Sequence, residues 1–279
     1  MLATGLSQAK IAVKDDRGMT LLMAQPPQRI ISLVPSLTEM ICQLGACGRL
    51  VATDRYSNYP AQVSRLPKVG GLEDANVELI VALKPDIILL WNSARIPPQL
   101  ESLGLKVIAL EPKTLEDVER ILQKIGLLLG GNGQEQAQLL WQDINTSIDK
   151  LAKNLPPSLP GKRVYYEVDS AFYAASEASF VGQLLTRLGV KNIVPASMGP
   201  FPQLNPEYVV RANPDVIMVN QHNAQGLEKR PGWSNIEAVR QKRVCVFTPE
   251  QSDILVRPGP RIVQAAQLMV RCLEQGQRS

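Results

Sequence analysis

Residues 76–90 read NVELIVALKPDIILL. Asn76 is well placed as an N-cap, because its side-chain oxygen can accept from the free amides of a first helical turn. Glu78 falls in that turn, where the helix dipole favours a negative charge by about 0.3–1 kcal/mol. Pro85 stops the helix, since the residue before a proline is pushed out of the helical region. Asp86 then turns the chain into IILL, an apolar run of the kind that a parallel sheet buries on both faces. The stretch predicts one helix-to-strand unit of an α/β fold.

The phrase returns at residues 205–219, NPEYVVRANPDVIMV, with no insertion. Asn76 matches Asn205, Glu78 matches Glu207, Val81 matches Val210, Pro85 matches Pro214, Asp86 matches Asp215 and Ile88 matches Ile217. Pro206 sits at the first helical position, where its missing N–H is harmless. Local helix-start chemistry is enough to explain either glutamate alone. The repetition predicts two lobes built alike, with one acidic point on each. A length of 279 residues, beyond the roughly 100–150 usual for one domain, agrees with two lobes.

Outward from the first copy, helices and strands alternate. IAVKDDRGMTLLM (11–23) predicts a hairpin around Asp-Arg-Gly. RIISLVPS and LVATD read as strands, with LTEMICQLGACGRL helical between them. DRYSNYPAQVSRLPKVGGLEDA reads as a long surface loop; IPPQLESLG is helical and LKVIAL a strand. Helical spacing then runs from Thr114 to about Leu155, broken once at GGNG (130–133). PPSLPG (156–161) marks a boundary, and a second alternating series follows from RVYYEV to a last helix over about 260–274. The predicted class is α/β with mostly parallel sheets. The predicted organisation is an N-terminal lobe (1–131), a linking helix (132–156) and a C-terminal lobe (157–279).

Composition narrows the function. The chain is 45% hydrophobic and 20% charged, enough for a sizeable core. Its net charge of +4 is scattered, without the basic stripe or aromatic reading motif that nucleic-acid binding requires. No run approaches the ~20 apolar residues that span a bilayer. The start, MLATGLSQAK, lacks a basic region and a long apolar stretch, although Ser7-Gln8-Ala9 resembles the small-residue end of a secretory cleavage site. A trimmed export precursor and a plain disordered start both remain open. Cys42 and Cys47 lie five apart in a predicted helix, a spacing that does not share a face. Cys245 and Cys272 can approach in space, but pairing is not readable from sequence. There is no GxSxG, P-loop or GxGxxG, and the one histidine, His222, reads as a polar surface residue. An enzyme is therefore not expected.

The segments RIISLVPSLTEMICQLGACGRLVATDRYSNYP, LPKVGGLEDANVELIVALKPDIILLW, LESLGLKVIALEP and VRPGPRIVQAAQLM, in this order, resemble the helical-backbone (class III) substrate-binding proteins of bacterial ABC importers. The resemblance covers nearly the whole chain from about Ile11 to Glu274, and YSNYP and RPGPR are most similar to its cobalamin-binding members. It implies two Rossmann-like lobes joined by one long rigid helix, with a ligand cleft between the lobes. It also implies a monomer, periplasmic or anchored outside the cytoplasmic membrane, that serves an ABC permease dimer and its ATPase subunits. Glu78 and Glu207 would dock on that permease. The implied ligand is cobalamin, with haem or a ferric siderophore as alternatives, and no resident cofactor or metal site.

A flat, amide-rimmed corrin is held by aromatic faces and a few hydrogen bonds. The candidate ligand contacts are Tyr56 and Tyr59 in YSNYP, Trp91 after the first repeated strand, Phe172 and Tyr173 after RVYYEV, Phe201 in the Gly-Pro-Phe-Pro loop, and Asp253 and Arg257. Motif position assigns contacts to Tyr56 and Trp91 and puts Phe201 in place of a family tryptophan. Ordinary core packing is the competing reading for each aromatic. Asp253 is read in the same loop as the RPGPR turn. Arg257 and Arg261 flank that turn, where an arginine can hold a ligand carboxylate; in the competing reading Arg261 opens the last helix and faces solvent, or supports the loop. Family members often carry an aromatic where this chain has Leu72.

Overall fold

The computed structural model describes residues 11–275, so the Ser7-Gln8-Ala9 signal lies outside the described residues. The chain divides into two compact units. One holds the residues up to Pro112 together with Glu116–Trp141; the other holds Lys113–Leu115 together with the residues from Gln142 onward.

The first unit opens with β1 (Ile11–Lys14) and β2 (Thr20–Met23), antiparallel around the Asp-Arg-Gly turn as expected. Then come β3 (Ile30–Ser32), α1 (Pro35–Gln43), β4 (Leu50–Thr53), α2 (Val77–Ala82), β5 (Ile87–Leu90), α3 (Pro97–Ser102), β6 (Val107–Ala109) and α4 (Leu115–Leu129). The sheet runs β4-β3-β5-β6, all parallel. β3 and β5 are buried throughout, which is why they read as continuous apolar runs. Asp16 ties the hairpin turn to α4 through Arg120 and Lys124.

α5 (Gly133–Lys153) is one continuous helix, and the division between the units falls inside it, at Trp141 and Gln142. The GGNG break has a packing reason. A Cβ on Gly133 would lie 2.4 Å from the carbonyl oxygen of Gly126, and one on Gly126 would lie 2.4 Å from that of Gly133. Only two glycines let α4 and α5 cross this closely.

The second unit contains β7 (Arg163–Asp169), β8 (Tyr173–Ala174), α6 (Phe180–Arg187), β9 (Lys191–Asn192), α7 (Pro206–Ala212), β10 (Val216–Asn220), α8 (Glu237–Arg240), β11 (Val244–Phe247), α9 (Pro249–Val256) and α10 (Ile262–Gln275). Its parallel strands run β9-β7-β10-β11, the same winding order as the first unit. Its core gathers Tyr165, Val209, Ile217, Val219 and the fully buried Trp233.

The repeated phrase forms matching elements, α2–β5 and α7–β10. The Asn76 side chain accepts from the Leu79 amide and that of Asn205 from the Glu207 amide, both at 2.9 Å. The Asp86 carboxylate accepts from the amides of Gln28 and Arg29 (2.7 and 2.8 Å), and Asp215 from that of Arg163 (2.8 Å). Arg29 donates to the Leu83 carbonyl (2.6 Å), and Arg163 to the Ala212 carbonyl (3.0 Å). One arginine at each central strand thus satisfies carbonyls left open at a helix end. Lys84 and Asn213, matching positions, both take the left-handed conformation there.

The second sheet is mostly parallel, as expected, with β8 returning antiparallel along β7. Three sequence expectations need correction. Asp253 lies on a helix, α9, that begins at a Thr248–Gln251 capping box, not in a loop. Arg261, just before α10, is buried rather than solvent-facing. Cys42 and Cys47 do form a disulfide: α1 ends at Gln43, the chain turns, and the two Cα atoms come within 4.0 Å. Cys245 of β11 and Cys272 of α10 form the other.

Candidate functional site

In the first unit the winding reverses between β3 and β5, so the carboxyl ends of these strands form the crevice where α/β sheets take ligands. The loop after β4 is pinned from below. Buried Asp54 accepts from the Tyr56 amide (2.7 Å) and from the Ser57 hydroxyl, and Ser57 meets Thr38 of α1 at 3.0 Å. The Lys68 ammonium donates to the Thr53 hydroxyl (2.8 Å) and to the Ser57 carbonyl (2.5 Å). Burial lowers the Lys68 ammonium from its ordinary pKa, partly opposed by the Asp54 charge. On this support Tyr56 is 62% exposed and Tyr59, which precedes a cis proline, 42%. Trp91, directly after β5, is half-buried, and its indole N–H is buried without a hydrogen-bond partner among the described residues. Leu72 packs against the core of this unit.

In the second unit Tyr173 is 41% exposed and Phe201 39%. They sit on paired segments: Tyr173 bridges to Gln203, and the Ala174 amide donates to the Pro202 carbonyl at 3.0 Å. Phe172 is turned the other way, against the core. Below it the Glu167 carboxylate, buried, is gripped by both Arg230 nitrogens at 2.6 and 2.9 Å and accepts from the Tyr165 hydroxyl at 3.2 Å. Burial, then the neighbouring carboxylate, push the Tyr165 hydroxyl above its ordinary pKa, so it stays a donor.

Asp253 and Arg257 lie four apart on α9 and its cap and pair at 2.7 Å, with the arginine buried. Glu78 and Glu207 are exposed in the first turns of α2 and α7, and neither carboxylate has a side-chain partner among the described residues. His222 is exposed.

Sequence reading missed the supporting groups. Asp54 and Ser57 carried a usable signal, since Asp and Ser in a loop favour local hydrogen bonds to the backbone. Arg230 carried none, because its partner lies far away in sequence.

A family model described as periplasmic binding protein matches residues 30–251. The chain is 30% identical over 249 residues to the vitamin B12-binding protein of Pectobacterium atrosepticum, covering 86% of each. It is 29% identical over 269 residues to the uncharacterized ABC transporter substrate-binding lipoprotein YvrC of Bacillus subtilis, covering 92% of this chain and 83% of that protein. The periplasmic vitamin B12 binding protein BtuF of Vibrio cholerae superposes with a TM-score of 0.74 at 27% identity, covering 91% of this chain and 99% of that one.

Proposed function

The chain belongs to the periplasmic binding protein family, and from that premise we propose that it captures cobalamin or a related corrinoid and hands it, unchanged, to an ABC permease dimer. The observation that carries this reading is the set of exposed aromatic side chains at the carboxyl ends of both sheets: Tyr56 and Tyr59 in one unit, Tyr173 and Phe201 in the other. Rings held on a rigid support suit a flat macrocycle, because little conformational entropy is lost on binding. Half-buried Trp91, directly after β5, adds an aromatic side chain at the same carboxyl edge as Tyr56 and Tyr59. Arg257 and Asp253 serve as a polar contact pair.

The protein acts as a monomer outside the cytoplasmic membrane. Two disulfides suit an oxidising compartment, and among the described residues no helix is long and apolar enough to cross a membrane. Glu78 and Glu207 dock on the two permease subunits.

Tryptophan fluorescence titration with cyanocobalamin, haemin and a panel of ferric siderophores tests the ligand. Saturable quenching by cyanocobalamin at micromolar concentration or below is expected. No quenching by cyanocobalamin, with saturation by haemin or a siderophore, overturns the corrinoid assignment and keeps the binding-protein role.

A further inference from the structure

Phe172 has a φ of +64°, a region that bulky residues enter only at a cost. It closes the turn from β7 into β8, its amide donating to the Asp169 carbonyl at 3.0 Å. A glycine would relieve the backbone there, so the ring must supply something. The Arg230 guanidinium carbon lies 4.9 Å from the centre of that ring and 4.5 Å from the centre of Trp233. Arg230 is itself fixed by both oxygens of buried Glu167 and by the Asn223 carbonyl at 3.0 Å. A buried ion pair is no better for stability than well-packed apolar side chains, so its presence calls for another reason.

Register supplies that reason. Across β7 and β8, Glu167 lies opposite Ala174 and Asp169 opposite Tyr173, with a bulge between the two pairs; Ala174 is buried and Tyr173 exposed. With Phe172 turned inward onto Arg230, Tyr173 points outward. A slip of one residue would exchange them. The segment carrying Phe201 is tied to the same turn, since the Leu204 amide donates to the Phe172 carbonyl at 3.0 Å.

We infer that Glu167 and Arg230 are positioning residues for ligand recognition: they hold Phe172 inward and so fix the register that presents Tyr173, with Phe201 on the paired segment. This rests on the reading above that these two aromatics meet the ligand.

Arg230→Lys keeps the charge but removes the planar fork and its stacking. On the full chain without ligand, hydrogen exchange over 170–176 and 199–205 is expected to accelerate about tenfold or more, with β10 and α10 little changed. Cyanocobalamin affinity is expected to fall about tenfold, but less than about twofold in a Tyr173→Ala background, as for two changes that act through one contact. Unchanged exchange in those segments overturns the inference. So does an unchanged affinity, or a full loss that persists without Tyr173. If the unmodified protein does not bind cyanocobalamin, the ligand reading fails and the exchange result alone decides the positioning role. Glu167→Gln, close to isosteric, is read the same way if Arg230→Lys does not fold. If neither folds, the pair is a stability element and the inference is overturned.

Discussion

The first unit pins its aromatic loop with hydroxyls, carbonyls, Asp54 and Lys68; the second pins its own with a buried ion pair under aromatic rings. Elsewhere they match closely. Both wind their parallel strands in the same order, and both clamp the repeated phrase with an aspartate and an arginine. The repeat carries the scaffold, while the carboxyl edges rest on different supports. Binding function concentrates in such edges because the scaffold tolerates change there.

The largest expected effect tests that contrast directly. Glu167→Ala leaves Arg230 without its counter-charge in a buried setting and should cost about 3–5 kcal/mol in urea unfolding. Lys68→Met, in the first unit, removes the ammonium's hydrogen bonds to the Thr53 hydroxyl and the Ser57 carbonyl and should cost less, about 1.5–3 kcal/mol. Equal losses would erase the distinction between the two supports.

The bridges differ next. Cys42–Cys47 closes a separation of 5 residues and Cys245–Cys272 one of 27. In the chain-entropy account, replacing both cysteines by alanine should cost roughly 2 kcal/mol in the first unit and roughly 3.5 in the second. Thermal denaturation of the two double variants measures the gap.

The repeated clamps should respond alike. Asp86→Ala and Asp215→Ala should each cost about 1–2 kcal/mol and agree within about 0.5; a wide disagreement would mean that the echo in sequence is not an echo in energy. Asp215 adds a pH signature. Burial pushes its carboxyl up, but hydrogen bonds and charge from Arg163 hold it below the ordinary value. A depressed folded-state pKa gives stability that is present above the unfolded value of about 3.9 and lost as pH falls through the lower folded value. Melting followed from pH 5 to pH 2 should show a loss to which Asp215 contributes alongside Asp16, and the loss should be smaller in Asp215→Asn.

The smallest stability effects belong to Glu78→Gln and Glu207→Gln, about 0.5 kcal/mol each from the helix dipole. Charge reversal at either should abolish uptake through the permease with ligand affinity unchanged. A fall in affinity would place that glutamate in the binding site.

Legibility followed the range of the interactions. The strands IIS, IILL and VIMVN were readable because burial on both faces leaves an unbroken apolar run. α9 was also readable in principle from Thr248 and Gln251, but the Pro-Gly-Pro that follows drew the reading toward a loop. β8 was hidden because Phe172 occupies a turn position where the usual signal is glycine. Trp233, wholly buried, lies among Gly, Pro and charged residues that suggest surface. Of the candidate contacts, Tyr56, Tyr59, Tyr173 and Phe201 stand exposed, whereas Phe172 faces the core and Asp253 and Arg257 hold one another.

By itself the sequence determined the helix-to-strand units, their caps and stops, and the doubling of one of them, since those depend on groups a few residues apart. Tertiary structure alone decided which partners meet: Cys42 with Cys47 across an early helix end, Glu167 with Arg230 across 63 positions, and which of Phe172 and Tyr173 faces out. Such pairings depend on where a chain crosses back and in what register, and no local pattern encodes either.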